Sequence, residues 1–149
     1  SRRQRQMCIR DSVKADVYMP CATQNEIGLE DAKRMIEEGT SKLLIEVANM
    51  PTKAEAVEEL QKAGFMIAPS KAVNAGGVAV SALEMSQNAM KLSWTEEEVD
   101  EKLKKIMKNI FNNIDSAAKK YGMDGNLIAG ANIAGFLKVA EAMLNEGIF

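Results

Sequence analysis

The sequence contains no histidine, only two cysteines and three prolines, and few aromatic residues, at 5% of the chain. Without histidine, Ser-His-Asp and Cys-His catalysis are excluded, and the commonest metal ligand is missing. No cluster of Cys, Asp and Glu has the spacing of a metal site, so we expect no metal. Cys8 and Cys21 imply no disulfide framework, which favours a reducing, cytoplasmic location. Any chemistry must draw its reactive groups from a cofactor or from another segment of protein.

The sequence also lacks long apolar runs and a large excess of basic over acidic residues. No run of about 18 apolar residues occurs, so we expect no membrane partner, and the N-terminus lacks the apolar stretch of a secretory signal. The net charge of −2 argues against nucleic acid as a partner. The 149 residues, 46% of them hydrophobic and 27% charged, suit one ordinary globular domain or a large part of one.

Residues 1–12 differ from the rest of the chain. They hold four arginines against a single acid, whereas the remaining residues comprise 15 basic and 20 acidic side chains. Because this segment matches nothing that follows, we interpret it as a disordered or non-native leader and assign it no function.

Residues 13–68 alternate between strand and helix patterns. Compact apolar runs predict strands at 13–19, 42–47 and 65–68. Helices are predicted at 30–38, ending at Gly39, and from a capping box of Thr52 and Glu55 to about Ala63, ending at Gly64. This wiring predicts an α/β fold with right-handed crossovers and a parallel sheet.

Three polar loops follow the predicted strands, at 21–26, 48–50 and 70–77. The carboxyl ends of parallel strands share one edge of a sheet, so these loops should converge there. That is the ligand-binding edge of a doubly wound fold.

The third loop leads into the stretch from Lys71 to Asn88, K-A-V-N-A-G-G-V-A-V-S-A-L-E-M-S-Q-N. The adjacent Gly76 and Gly77 predict a tight backbone passage that opens a helix, where a ligand can approach the main chain. The N-terminus of such a helix suits an anionic ligand. Taken alone, such a motif is more often a packing turn than a ligand site.

After Ser93 the pattern becomes wholly helical. Thr95 and Glu98 form a second capping box, which opens a helix of about 27 residues. Apolar residues at helical spacing mark its buried face: Val99, Leu103, Ile106, Ile110, Ile114, Ala117 and Tyr121. A last helix begins near Leu127, ends at Gly147, and carries an apolar set of its own: Ile133, Phe136, Leu137, Ala140 and Leu144. Small residues from Ala129 to Gly135 permit close backbone approach, and we predict two packed helices without chemistry.

Six motifs occur in an order that resembles the C-terminal part of a bacterial-type glutamate dehydrogenase. They are P-C-A-T-Q-N-E at 20–26, I-E-V-A-N-M-P at 45–51, A-P-S-K-A-V-N-A-G-G-V at 68–78, S-A-L-E-M-S-Q-N at 81–88, L-S-W-T-E-E-E-V-D at 92–100 and G-A-N-I-A-G-F at 130–136. The resemblance covers residues 13–149.

The resemblance implies reversible oxidative deamination of L-glutamate to 2-oxoglutarate and ammonia, with NAD or NADP as hydride carrier. It implies a partial Rossmann-like dinucleotide-binding domain with a substrate-contacting loop at 13–93 and C-terminal helices at 94–149. The family's catalytic lysine and aspartate belong to a domain that these residues do not match, and no G-x-G-x-x-G occurs. We therefore expect no catalytic residue in this chain, no activity and little cofactor affinity from residues 1–149 alone, and a homo-hexamer for the full-length protein.

The resemblance also implies roles for individual residues. Ala22, Thr23 and Asn49 would line the ribose and nicotinamide side of the cofactor. Asn74 would meet the nicotinamide carboxamide or the substrate, a role that suits an amide because it both donates and accepts hydrogen bonds. Val78 would contact the substrate's carbon chain, and Ser81 its side-chain carboxylate.

Ser81 also bears on substrate choice. Related leucine and phenylalanine dehydrogenases share N-A-G-G-V but look apolar at this position, so Ser81 favours glutamate.

An alternative stays open: a non-catalytic α/β-helical interaction module derived from an amino-acid dehydrogenase. An upstream reading frame that encodes a glycine-rich βα turn and a lysine-bearing domain would favour the enzyme. The acidic or basic residue that selects NAD or NADP follows an earlier strand of such folds, so the sequence leaves this choice open.

Overall fold

The computed structural model describes residues 15–38 and 41–147. It divides into two compact units, one ending at Ser70 and the other beginning at Lys71. The predicted leader at 1–12 and the predicted helix end at Gly39 lie outside the described residues. The domain boundary predicted at 93/94 stays a prediction.

The first unit is a small parallel sheet with helices between its strands. Its elements are α1 (Leu29–Glu38), β1 (Leu43–Ile45), α2 (Ala54–Lys62) and β2 (Met66–Ala68). β1 and β2 pair in parallel, with Leu44 opposite Ile67. Tyr18 adds a parallel bridge to Leu44 on the other side of β1. The α/β class and the parallel sheet are therefore confirmed.

A compact apolar core holds this sheet against its helices. Its buried members come from every element: Tyr18, Ile27, Ala32, Met35, Leu44, Ala56, Leu60, Phe65 and Ile67. The strands are shorter than predicted, because pairing with β2 ends at Glu46, whose N–H donates to the Ala68 carbonyl oxygen at 3.0 Å. There the Val47 and Ala48 N–H groups both donate to the Pro20 carbonyl oxygen, at 3.2 and 2.9 Å. Of the predicted strand 13–19, residues 13 and 14 are not described, and Tyr18 alone makes the bridge.

The predicted capping box of Thr52 and Glu55 is wrong. α2 begins at Ala54, its N-cap is Lys53, and no side chain caps it. Thr52 instead makes a parallel bridge with Ile27, fixed by hydrogen bonds from the Ile27 N–H to the Pro51 carbonyl and from the Lys53 N–H to the Ile27 carbonyl. Tertiary pairing thus holds Thr52 in extended backbone and buries its hydroxyl without a partner. The predicted helix end at Gly64 is confirmed, since this residue has φ +84°, a conformation that favours glycine.

The second unit consists of helices: α3 (Ser70–Val73), α4 (Ala75–Met90), α5 (Glu96–Lys120) and α6 (Leu127–Glu146). The first residue of α3, Ser70, belongs to the first unit. Gly76 and Gly77 lie inside the first turn of α4, and neither has a positive φ. The glycine pair is therefore helical and not a loop before a helix. The turn that opens α4 is made by Asn74.

The capping box of Thr95 and Glu98 is confirmed at the start of α5. The Glu98 N–H donates to the Thr95 hydroxyl at 3.3 Å, and the Thr95 N–H donates to the Glu98 carboxylate at 2.8 Å. Of the predicted apolar stripe, Ile114 and Ala117 are buried, whereas Tyr121 is exposed because the helix ends at Lys120.

α5 and α6 pack closely at one point, and apolar side chains further along α6 stay exposed. Gly130 lies so close to α5 that an added Cβ would come within 2.3 Å of the Ile114 carbonyl oxygen. Phe136 and Leu144, which we predicted on the packed face, are 68% and 87% exposed. By length and composition α6 could cross a membrane, and 17% of its apolar stretch is buried.

Candidate functional site

The loop after Tyr18 is held against the loop after β1. The Asn25 N–H donates to the Met50 carbonyl oxygen at 3.0 Å, and the Ile27 N–H donates to the Pro51 carbonyl oxygen at 2.9 Å. The predicted cofactor residues Ala22 and Thr23 lie in the first of these loops, and both are exposed. The paired loops therefore present them at the carboxyl edge of the sheet.

The second loop carries Asn49, which is also exposed. Its neighbour Met50 has φ +47°, and Asn25, to which Met50 is hydrogen-bonded, has φ +54°. Left-handed backbone is costly for side chains other than glycine and asparagine, and such strain concentrates at ligand sites. The structure thus brings the first three predicted site residues into one pair of linked loops.

Two polar residues that we did not predict, Glu46 and Ser70, join the second loop to the start of α3, where the third loop was predicted. Glu46 is a carboxylate 7% exposed at the end of β1, and its Oε2 accepts a hydrogen bond of 3.2 Å from the Ser70 N–H. The Ser70 hydroxyl accepts a hydrogen bond of 3.5 Å from the Met50 N–H. A charged residue within the apolar run K-L-L-I-E-V was the signal that could have found Glu46.

In the second unit, Asn74, Val78 and Ser81 occupy one face of α4 and the turn that opens it. Spacings of four and three residues place them within about 60° of one another around the helix axis. Val78 is 76% exposed, and Ser81 is exposed as well. The structure therefore brings the last three predicted site residues together on an open surface of this unit.

Ser81 lies in the second turn of α4. Its hydroxyl donates to the Gly77 carbonyl oxygen at 3.2 Å. Asn74 precedes the helix with φ −87° and ψ 2°, and its side chain makes no cap hydrogen bond. This sparsely populated backbone region is common among active-site residues.

The two glycines of α4 face different surroundings. A Cβ at Gly76 would lie 3.6 Å from the Met107 sulfur and 3.8 Å from the Leu103 Cδ1, both on α5. A Cβ at Gly77 would meet nothing within 4 Å. α4 thus packs on α5 through its Gly76 side, about opposite to the face that carries Val78 and Ser81.

The resolved pKa shifts belong to surface groups on helices outside the predicted site. A hydrogen bond from Lys62 lowers the pKa of the Glu59 carboxyl, and the same contact raises the pKa of Lys62. A hydrogen bond to Asp115 raises the pKa of Lys119. The pKa of Glu97 is lowered first by its own backbone N–H and then by Thr95. No group of residues that could hold a metal ion occurs within 15–38 and 41–147.

The chain matches known proteins over most of its length. The profile of the Glutamate/Leucine/Phenylalanine/Valine dehydrogenase family matches residues 3–147. The NAD-specific glutamate dehydrogenase of Clostridium symbiosum is 55% identical over 136 residues, which are 91% of this chain and 30% of that protein. The NADP-specific glutamate dehydrogenase of Giardia intestinalis is 55% identical over 132 residues, which are 89% of this chain and 29% of that protein.

A solved glutamate dehydrogenase structure gives the same result for the fold. It superposes with a TM-score of 0.88 at 53% identity, covering 94% of this chain and 31% of the other. The chain thus spans about 30% of the length of the curated relatives it matches. On the profile match, the chain belongs to the Glutamate/Leucine/Phenylalanine/Valine dehydrogenase family.

Proposed function

We propose that this chain is part of an NAD(P)-dependent glutamate dehydrogenase. The reaction converts L-glutamate, water and NAD(P)+ to 2-oxoglutarate, ammonia and NAD(P)H. The observation that carries the proposal is the 55% identity to both an NAD-specific and an NADP-specific glutamate dehydrogenase. It is supported by the exposed face of Asn74, Val78 and Ser81.

The free thiol of Cys21, exposed on its loop, supports a reducing, cytoplasmic location.

The strand-end loops suit a dinucleotide. Ala22, Thr23 and Asn49 are exposed, and the backbone that carries them is fixed by hydrogen bonds between the loops. A small side chain at Ala22 permits close approach, and the Thr23 hydroxyl and Asn49 amide offer donors and acceptors for ribose hydroxyls. A bound NAD(P)+ would supply the hydride acceptor. The residues of this chain bind and orient, and the proton transfers belong to segments of the full-length protein that it does not span.

Ser81 would recognise the side-chain carboxylate of glutamate. In the structure its hydroxyl proton goes to the Gly77 carbonyl, so binding requires the hydroxyl to exchange that acceptor for a carboxylate oxygen. A hydrogen bond to a charged group contributes about 1.5–3 kcal/mol, more than one to a neutral carbonyl. The exchange is therefore favourable, and Val78, one turn earlier on the same face, would contact the methylene carbons.

The test is Ser81→Val in the full-length protein. We expect kcat/KM for glutamate to fall by about 10- to 150-fold, the kinetic equivalent of one charged hydrogen bond, and activity with an aliphatic amino acid to rise relative to it. Ser86→Val is the matched control, because the Ser86 hydroxyl likewise donates to the carbonyl four residues earlier in α4, at 2.8 Å. An unchanged preference for glutamate in Ser81→Val would contradict the assignment.

The 149-residue chain alone should not reduce NAD with glutamate, since it spans only about 30% of the length of its relatives. We also propose that the full-length protein forms a homo-hexamer. Both statements are checked on purified material, by absorbance of reduced nicotinamide and by measuring mass in solution.

A further inference from the structure

A continuous chain of hydrogen bonds in the first unit joins the loop after Tyr18, the loop after β1 and Ser70, the first residue of α3. The Asn25 N–H donates to the Met50 carbonyl oxygen at 3.0 Å. The Met50 N–H donates to the Ser70 hydroxyl at 3.5 Å, and the Ser70 N–H donates to Glu46 Oε2 at 3.2 Å. Each of these three segments therefore contributes one residue to a single connected path.

Glu46 is the buried, charged end of this path. Burial of a carboxylate is unfavourable unless hydrogen bonds compensate for the lost water. The Ser70 N–H supplies one such bond, and the Glu46 backbone N–H donates to the Ala68 carbonyl oxygen at 3.0 Å. Glu46 is thus fixed to the end of β2 through both its backbone and its side chain. Packing in the core alone would not require a carboxylate at this position. The carboxylate of Glu46 therefore points to its hydrogen-bond partner, the Ser70 N–H at the start of α3.

Met50 is the strained member of the path and the direct neighbour of Asn49. Its left-handed φ of +47° is unfavourable for a methionine. Such a conformation persists only where the surroundings hold it in place. Here the Ser70 hydroxyl holds the N–H of Met50, and Asn25 holds its carbonyl. Ser70 therefore contacts the backbone of the residue next to Asn49, and Ser70 is in turn hydrogen-bonded to Glu46.

We propose that Glu46 and Ser70 are positioning residues that hold the Asn49–Met50 turn in the conformation that binds the dinucleotide. This rests on the proposed function, in which Asn49 contacts the cofactor. Neither residue needs to touch the cofactor, because each acts through the backbone of Met50.

The first test compares Ser70→Ala with Ser70→Thr in the full-length dehydrogenase. Ser70→Ala removes the acceptor for the Met50 N–H, and we expect the dissociation constant for NAD(P) to rise by about 2- to 10-fold, as for the loss of one neutral hydrogen bond. The KM for glutamate should change less than the dinucleotide affinity. Ser70→Thr keeps a hydroxyl and should restore most of that affinity, a rescue that general loss of stability would not give.

The second test addresses Glu46. Glu46→Gln keeps an oxygen that accepts from the Ser70 N–H, so its dinucleotide affinity should stay within about 2-fold of the parent. Glu46→Leu removes the acceptor and should weaken dinucleotide binding as Ser70→Ala does. The matched control is Ser86→Ala, whose hydroxyl bonds only within α4. Unchanged dinucleotide affinity in both Ser70→Ala and Glu46→Leu, or equal losses in Ser70→Ala and Ser70→Thr, would overturn the proposal.

Amide hydrogen exchange separates this proposal from the proposed function. Exchange at Met50 should be faster in Ser70→Ala than in the parent protein, whatever the protein binds. If the parent binds no dinucleotide, the proposed function fails and the positioning role fails with it, although the exchange result would stand. If the parent binds dinucleotide but Met50 exchanges equally fast in both proteins, only the positioning role is lost.

Discussion

Gly130 marks the tightest contact between α5 and α6, and Gly130→Ala should lower the free energy of unfolding. The added Cβ would lie 2.3 Å from the Ile114 carbonyl oxygen and 3.0 Å from the Ala118 Cβ. Carbon–oxygen contacts are relaxed only from about 3.3 Å, so the helices would have to separate by roughly 1 Å. Neither neighbour can rotate away, and overpacking of this kind costs about 1–3 kcal/mol. The higher helix propensity of alanine offsets up to about 1 kcal/mol of this cost, so we expect the free energy of unfolding to fall by about 1 kcal/mol.

Gly135→Ala provides the matched control on the same helix. A Cβ there would meet nothing within 4 Å, so only helix propensity acts, and the variant should gain up to about 1 kcal/mol. Urea unfolding followed by circular dichroism on both variants in one background measures the difference. If Gly130→Ala is stabilised as much as Gly135→Ala, the close packing of α5 and α6 at Gly130 is refuted.

Two further substitutions test single features. Thr52→Val removes the buried hydroxyl that has no partner, so it should leave the free energy of unfolding unchanged or raise it by up to about 1 kcal/mol. In the same urea assay, a fall in the free energy of unfolding would mean that the hydroxyl is hydrogen-bonded. Gly77→Ala should gain helix propensity, since a Cβ there meets nothing within 4 Å, yet raise the KM for glutamate if this part of α4 faces the substrate. A higher melting temperature with an unchanged KM would place the substrate elsewhere.

Local signals predicted the helices well. α5 begins one residue after the Thr95 of its capping box, and α6 runs from Leu127 to the residue before Gly147, as the sequence indicated. These boundaries depend on contacts within a few residues, which the sequence displays directly. Thr52 and Glu55 offered the same capping pattern, but pairing with Ile27, 25 positions away, held Thr52 in extended backbone. No local signal could reveal that pairing.

The loops of the first unit were predictable in their topology but not in their connections. Parallel wiring alone implied that the loops carrying Thr23 and Asn49 lie at one edge. The path through Ser70 and Glu46 was not predictable, because a hydrogen bond between side chain and backbone leaves no periodic trace in the sequence. The apolar run around Glu46 indicated a buried carboxylate, but it did not indicate that the Ser70 N–H would be its hydrogen-bond donor.

The glycine pair of α4 serves two separate requirements. In sequence, Gly76 and Gly77 suggested a single flexible passage, but both are helical, so freedom of φ is not why they are glycine. Gly76 faces α5, where a Cβ would make ordinary contacts of 3.6 and 3.8 Å, so its absence lets the two helices approach. Gly77 faces open space, where packing places no limit on a side chain. Glycine inside a helix is unfavourable by about 1 kcal/mol relative to alanine, and the packing of this chain accounts for neither Gly77 nor the equally open Gly135. For Gly77, which lies beside Val78 and Ser81, we propose close approach of a ligand to the backbone, and the KM of Gly77→Ala tests it.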